Sequence, residues 1–265
     1  EDFEKKFKIG NYLAPLTIAL FANSPFNENK LSGFLSYRGK VWQETNRGGI
    51  MPITFENVNF EKYIDHAINY PILFLKKNRK YYSPNGQTFR DFLNGNLSFL
   101  KGEKPTLEDF ENHLGTIFTE IRLKQVIEFR SLDTCNFGCI CNGPSFFTGL
   151  IYGSLDETYE IIKNWKKEEV MDAYLNAPKQ GLNTLLKNKK LIDWAKIFLD
   201  ISRKGLDKRN ELNKSGKNET IYLKHIEEII KNKKTRAEML IEQFNKTKNL
   251  NFLVNHDENF SYSGF

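Results

Sequence analysis

The sequence has no apolar run approaching the roughly 20 residues that a membrane-crossing helix needs, and its opening Glu1-Asp-Phe-Glu-Lys-Lys lacks the apolar core of a secretory signal. A soluble, cytoplasmic protein is the expectation. Cysteine is scarce: Cys135, Cys139 and Cys141 share one short segment and cannot staple distant parts of the chain together. They could form a metal or redox cluster, but Cys-x3-Cys-x-Cys matches no standard zinc spacing and no histidine is near, so structural or free thiols are the favoured reading. GxxxxGK[ST], GxGxxG after a strand, HExxH and GxSxG are all missing, as are internal repeats. Segregated charge is missing too. A net charge of +6 and 14% aromatic residues could point to nucleic acid, but the 33 acidic residues are interspersed among the 39 basic ones, so neither a nucleic-acid nor a membrane partner is expected. The sequence begins at Glu1 rather than at a methionine, which reads as a hint of a fragment.

At 265 residues the chain can bury one large core or two small ones. Residues 2 to 22 read as helical with a break at Pro15. Residues 33 to 42 alternate like a strand and lead into a Gly-rich loop from Thr45 to Gly49. Phe60 to Asn69 is an amphipathic helix. Pro71 to Lys76 and Arg79 to Tyr82 form a hairpin turning at Lys77-Asn78, and Thr88 to Leu93 is a short helix. Thr106 with Asp109 resembles a capping box and predicts a helix start. After Gly143-Pro144 helical patterns take over at 145–152, 156–166, 167–175, 191–204, 220–231 and 235–245. Two regions are therefore expected, a sheet-bearing one over 1–143 and a helical layer over 144–265.

The most informative stretch is Glu120-Ile-Arg-Leu-Lys-Gln-Val-Ile-Glu-Phe-Arg-Ser-Leu-Asp133, where charged and apolar residues alternate within a β-prone run. Read as one strand, it places Glu128 and Arg130 on the same face about 7 Å apart, with Ile127 and Phe129 turned to a core. That surface is open to two readings. It is an ordinary ion pair on a half-exposed strand, or it is a phosphate and metal site in which a carboxylate holds a hard cation and a guanidinium grips a phosphoryl group.

Segments distributed along the chain bear on that choice: Leu16 to Phe26, Ser36-Tyr-Arg-Gly-Lys-Val-Trp42, Arg47-Gly-Gly-Ile-Met-Pro52, Thr88 to Gly95, Pro105 to Arg122, Val126 to Asp133 and Gly149-Leu-Ile-Tyr152. In this order they resemble the plant and proteobacterial type of glutamate-cysteine ligase, and the likeness covers almost the whole chain. The resemblance implies an α+β fold, a glutamine-synthetase-like antiparallel sheet, here partial, with a helical C-terminal layer. It also implies ATP-dependent ligation of glutamate to cysteine through γ-glutamyl phosphate, the first step of glutathione biosynthesis, with ATP and Mg²⁺ required.

Carried over by motif, Glu128 is the expected Mg²⁺ ligand and Arg130 the clamp on the transferring phosphoryl group. Arg38 and Arg47 join Arg130 as candidate catalytic residues, and Trp42, Tyr63 and Arg122 as candidate substrate-binding residues. His66 and His113 read as packing residues, and Asp133, of opposite strand parity to Glu128, as structural. One carboxylate does not make a metal site. The resemblance implies that further ligands lie in an N-terminal catalytic part of the same parent protein, so that this chain alone holds half a site. The alternatives left open are a related carboxylate-amine ligase using another amine and a noncatalytic binding or assembly fragment.

Overall fold

The computed structural model describes residues 2–255 except Asn46, Asn78 and Asn136. Helices α1 (Asp2–Tyr12) and α2 (Ala14–Leu20) open the chain, followed by strands β1 (Phe26–Asn27) and β2 (Lys30–Leu31) and helix α3 (Tyr37–Glu44). Strand β3 (Gly48–Gly49) and helix α4 (Phe60–Ile68) lead to strands β4 (Leu75–Lys77) and β5 (Lys80–Tyr82), then to helices α5 (Phe89–Leu93) and α6 (Leu107–Gly115). Strands β6 (Phe118–Thr119), β7 (Ile121–Leu123) and β8 (Ile127–Phe129) follow. The remainder comprises α7 (Asn142–Thr148), a π-helical stretch Gly149–Gly153, α8 (Leu155–Ile162), α9 (Lys167–Gln180), β9 (Leu185–Leu186), β10 (Lys189–Lys190), α10 (Leu191–Arg209), α11 (Lys224–Asn232), α12 (Arg236–Thr247) and α13 (Phe252–Asn255). Among the described residues the strands pair two by two, antiparallel except for the parallel pair β3–β6. No helix of the described residues is long and apolar enough to cross a membrane.

The chain folds as two compact units, one of Glu1–Asn11 with Thr45–Arg130, the other of Tyr12–Glu44 with Ser131–Phe265. Each unit thus takes two segments of chain, and the change of composition after residue 143 falls inside the second unit.

In the first unit, Phe7, Met51, Tyr63, Ile117 and Ile121 form one apolar core, and Ile72, Leu75, Phe89, Phe92 and Leu97 a second. Helix α1 lies hard against the hairpin β7–β8: a methyl group at Gly10 would come within 2.4 Å of Ile121 Cδ1 and 2.8 Å of Phe129 Cε1. Only a residue without Cβ allows that approach. The expected capping box is present, with Thr106 Oγ1 accepting from the Asp109 amide at 3.2 Å and Asp109 Oδ2 accepting from the Thr106 amide at 2.8 Å. Thr88 and Asp91 repeat the device at α5. The predicted hairpin is β4–β5, in register Leu75↔Tyr82; Asn78, half of its expected turn, lies outside the described residues.

The stretch from Glu120 to Asp133 is not one strand. It folds back on itself, β7 pairing antiparallel with β8 through Ile121↔Phe129, Arg122↔Glu128 and Leu123↔Ile127, and the Lys124 amide donates to the Val126 carbonyl at 3.0 Å across the turn. The turn residues Lys124, Gln125 and Val126 carry none of the usual turn markers, and both arms keep the same apolar alternation, so periodicity alone does not show the reversal.

In the second unit all seven residues of α2 are buried. Pro15 stands in the first turn of this helix, where its missing N–H costs nothing, so the break falls at Leu13, just ahead of the proline. Of the strand expected over 33–42, residues 37–42 are instead part of helix α3. Ser36 caps it, its Oγ accepting from the Gly39 amide at 3.0 Å, and this local bond outweighs the alternation. The longest helix, α10, meets the π-helical stretch at backbone contact: a Cβ on Gly153 would lie 2.1 Å from the Gly205 carbonyl oxygen, and one on Gly149 2.2 Å from that of Ser202. Trp165 and Trp194 pack edge to face at 4.8 Å beside Phe198.

Overpacking at backbone contact costs about 1–3 kcal/mol or more, so Gly153→Ala should lower the urea midpoint of the chain markedly. Gly115→Ala, whose new methyl would meet nothing closer than Lys124 Nζ at 3.9 Å, should leave it unchanged or raise it; equal effects would refute the close helix approach. A pH dependence follows from Asp109. Burial pushes its carboxyl up, but the Lys77 ammonium, 2.5 Å away, and the Thr106 donors outweigh it and hold the pKa below the ordinary carboxylate value. Its contribution is therefore complete above the unfolded-state pKa of about 3.9 and disappears as pH falls through the lower folded value. Denaturation midpoints followed from about pH 6 to about pH 2 should fall less steeply in Asp109→Asn than in the parent chain.

Candidate functional site

The hairpin β7–β8 brings Arg122 directly opposite Glu128. Arg122 is only 8% exposed. Its Nε and Nη2 donate to Glu128 Oε2 at 2.8 and 2.6 Å, and its Nη1 donates to the carbonyls of Gly115 at 2.6 Å and Ile117 at 3.3 Å. Arg130 places Nη1 3.5 Å from the same Oε2. Its guanidinium lies 6.0 Å over the Phe118 ring, and its amide donates to the Glu120 carbonyl at 2.9 Å. Glu120 is itself buried, its amide donating to the Gly49 carbonyl at 3.0 Å.

Two guanidinium groups thus meet one carboxylate oxygen. Planar, multiply donating side chains of this kind are suited to an anion with several oxygens, a phosphoryl group or a carboxylate. Beside it runs an open groove of about 870 Å³, lined by Phe3, Phe60, Ile64, Leu123 and Val126 and reaching Glu128.

Magnesium was expected on Glu128. The residues of this chain do not by themselves fit that ion: the carboxylate is already shared by two guanidinium groups, whose charge opposes a divalent cation, and no cluster of three or more carboxylate, histidine or cysteine side chains that could hold a metal occurs among the described residues.

The other predicted site residues divide. Arg47 is in the same unit as the cluster, but its guanidinium is used to tie loops together. Nε donates to the Thr116 carbonyl at 3.1 Å, Nη2 to Thr116 Oγ1 at 3.2 Å and Nη1 to the Pro71 carbonyl at 2.8 Å, with the Tyr70 ring 5.0 Å beneath. Burial lowers its pKa, with the Tyr70 phenol opposing the shift. Tyr63 lines the groove, yet its hydroxyl is held by backbone: it donates to the Leu123 carbonyl at 3.2 Å and accepts from the Leu123 amide at 2.8 Å. Burial pushes this phenol up to about 12, so it stays protonated at neutral pH. Tyr63 therefore fixes the end of β7 and with it the neighbouring Arg122.

Arg38 and Trp42 belong to the second unit, where the guanidinium lies 5.6 Å over the indole and the Arg38 amide donates to Ser24 Oγ at 3.0 Å. Asp133 organises that unit, as its assignment to structure anticipates. Its Oδ2 accepts from the Asn23 amide at 2.8 Å and Ser24 Oγ at 2.7 Å, and its Oδ1 from Ser36 Oγ at 2.7 Å. His113 Nε2–H donates to the Ala67 carbonyl at 2.7 Å and its ring stacks on Phe89, and burial keeps both it and His66 low in pKa. Sequence reasoning missed the carbonyls of Gly115 and Ile117 as partners of Arg122. No side-chain pattern announces a backbone acceptor.

Against known proteins, residues 3–256 match the model of glutamate-cysteine ligase family 2 (GCS2). The chain is 39% identical over 248 residues to the chloroplastic glutamate–cysteine ligase of Solanum lycopersicum, 92% of this chain but 46% of that protein. It is 37% identical to glutamate–cysteine ligase B, chloroplastic, of Oryza sativa subsp. japonica (92% of this chain, 49% of that one), and 37% identical to the chloroplastic enzyme of Arabidopsis thaliana (92% and 47%). It spans about half the length of the curated relatives it matches. The expectation of a cytoplasmic location is overturned by these matches, since the relatives are chloroplastic proteins. With nearly its full length matched, including the segment that folds into the Arg122, Glu128 and Arg130 cluster, the chain belongs to glutamate-cysteine ligase family 2.

Proposed function

We propose that this chain carries part of the active site of an ATP-dependent glutamate–cysteine ligase, the first step of glutathione biosynthesis. The observation that carries the reading is the convergence of Arg122 and Arg130 on Glu128 in a chain of this family. In the proposed reaction an oxygen of the glutamate side-chain carboxylate bonds to the γ-phosphorus of ATP as the bond to ADP breaks. The cysteine amine then attacks the acyl carbon, inorganic phosphate leaves, and the amine gives up a proton. Such a transfer needs charge neutralisation and alignment rather than a nucleophilic side chain.

Arg130 is the group placed to grip the transferring phosphoryl oxygens. Glu128, two residues before it on the same arm, holds it in position, and Arg122 holds Glu128 from the facing strand. Arg38, Trp42 and Arg47 contribute, in this reading, by shaping the elements that carry them. When bound, Mg²⁺ supplies positive charge to the phosphates; because the residues here do not fit that ion alone, its ligands are assigned to the part of the relatives' length that this chain does not span. The same reading places the short strands of the first unit within a glutamine-synthetase-like sheet completed by that part.

The test is ADP release that depends on both glutamate and cysteine, measured on protein containing this chain together with the complementary part. Arg130→Ala should lower it by about 100-fold or more, and unchanged turnover would sink the phosphoryl role. Calorimetry with ATP and Mg²⁺ on the same protein separates a ligase from a noncatalytic assembly fragment, which should give no heat. If other amines replace cysteine with equal rates, the amine specificity falls while the ligase reading stands.

A further inference from the structure

The open groove of about 870 Å³ lies wholly within the first unit, where the start of α1, helices α4 and α6 and the hairpin β7–β8 line it. Part of its lining is buried core: Phe3 and Tyr63 meet edge to face at 6.4 Å. The rest is uncovered. Leu107 is 74% exposed, Val126 64% and Phe60 56%, although Phe60 stacks on Phe3 at 4.3 Å. Large apolar side chains scattered singly over a surface need no explanation, but these three stand around one groove.

The lining restricts what can fill it. Besides Glu128, its charged residues are Asp2, Glu111, Lys6 and Lys124, two of each sign, so the groove selects neither an anion nor a cation. Nucleic acid gains nothing from such a surface, whereas an apolar polypeptide face does. A small molecule would leave side chains this exposed largely in water, since ligand sites enclose most of their ligand. A second copy would have to fill a concave surface with a different, projecting one, a head-to-tail contact that does not pair off into a closed dimer.

The match takes in 46% of the Solanum lycopersicum ligase and 49% of ligase B of Oryza sativa subsp. japonica, so about half of each relative's length packs outside the matched region. The groove also reaches Glu128, the carboxylate on which Arg122 and Arg130 meet. On the reading that the ligase site is completed outside this chain, and resting on it, we propose that the groove is the seat of the complementary part. An apolar face of that part covers Phe60, Leu107 and Val126 and brings its own carboxylates up to the hairpin beside Arg130. Seating also removes water from one side of the Glu128 cluster, which strengthens the attraction between its guanidinium groups and an anion.

The probe is N-ethylmaleimide, applied to Leu107→Cys, Val126→Cys and, in the second unit, Leu212→Cys, a control of similar exposure at 57%. Labelling rates are read by peptide mass mapping in this chain alone and in the full-length protein that includes the complementary part. Positions 107 and 126 should label about tenfold or more slowly in the full-length protein, and position 212 at an unchanged rate. Equal rates at 107 and 126 in the two proteins, or the same protection at 212, would overturn the seat. So would protection that develops in this chain alone as its concentration rises, the mark of a second copy in the groove. Should a cysteine variant fail to fold, hydroxyl-radical footprinting of Phe60, Leu107 and Val126 in the unsubstituted proteins reads the same surface. ADP release by the same full-length protein keeps the two conclusions apart: release without protection removes the seat and leaves the ligase, and protection without release does the reverse.

Discussion

The pair formed by buried Arg122 and half-buried Glu128 is the interaction on which the geometry of the first unit's hairpin rests. A guanidinium so little exposed is expensive to desolvate, and such a pair is tolerated only when nearly every donor is satisfied. Here Glu128 takes two donors and the carbonyls of Gly115 and Ile117 take a third. Losing the carboxylate would leave a buried cation without its partner, at a cost of about 3–5 kcal/mol. The pair therefore fixes three things together: the reversal between β7 and β8, the end of α6 at Gly115, and the place from which Arg130 approaches Glu128.

Supporting contacts in the same unit show how that geometry is held. Tyr63 closes the edge of β7 with two backbone hydrogen bonds, Gly10 lets α1 press on Ile121 and Phe129, and Arg47 joins the turn after α6 to the segment at Pro71. None of these needs to touch a substrate to matter. A displaced β7 would move Arg122, and Arg122 positions the carboxylate that Arg130 shares. In the second unit Asp133 has the comparable task, gathering Asn23, Ser24 and Ser36 around one buried carboxylate.

Features encoded within a few residues were legible in the sequence. Thr106 with Asp109 announced the start of α6 because a capping box is a purely local bargain between adjacent backbone donors and two side chains. The family likeness was legible from ordered motifs. Residues 33–42 were misread because alternation was weighed and the capping hydroxyl of Ser36 was not. The hairpin was misread because its turn contains no glycine, proline, asparagine or aspartate. Spacing along one strand proposed Arg130 as the companion of Glu128, whereas the shorter contacts come from Arg122 across the ladder, a pairing that exists only once the chain reverses. Motif position assigns Tyr63 to substrate and Arg47 to catalysis, but the Tyr63 hydroxyl and two of the Arg47 donors are engaged by backbone, which no pattern of side chains reveals.

The charge balance of the cluster bears most directly on how the site works. A carboxylate destined for a metal ion gains nothing from two guanidinium neighbours, since both compete with the cation for the same oxygen. A guanidinium destined for a phosphoryl group gains a great deal from a fixed carboxylate, which sets its orientation. Glu128 in this chain is therefore better described as an organiser of arginines than as a metal ligand. In the proposed ligase the two functions separate by region: arginines on the hairpin described here meet the anionic phosphoryl oxygens, and carboxylates in the complementary part meet the metal.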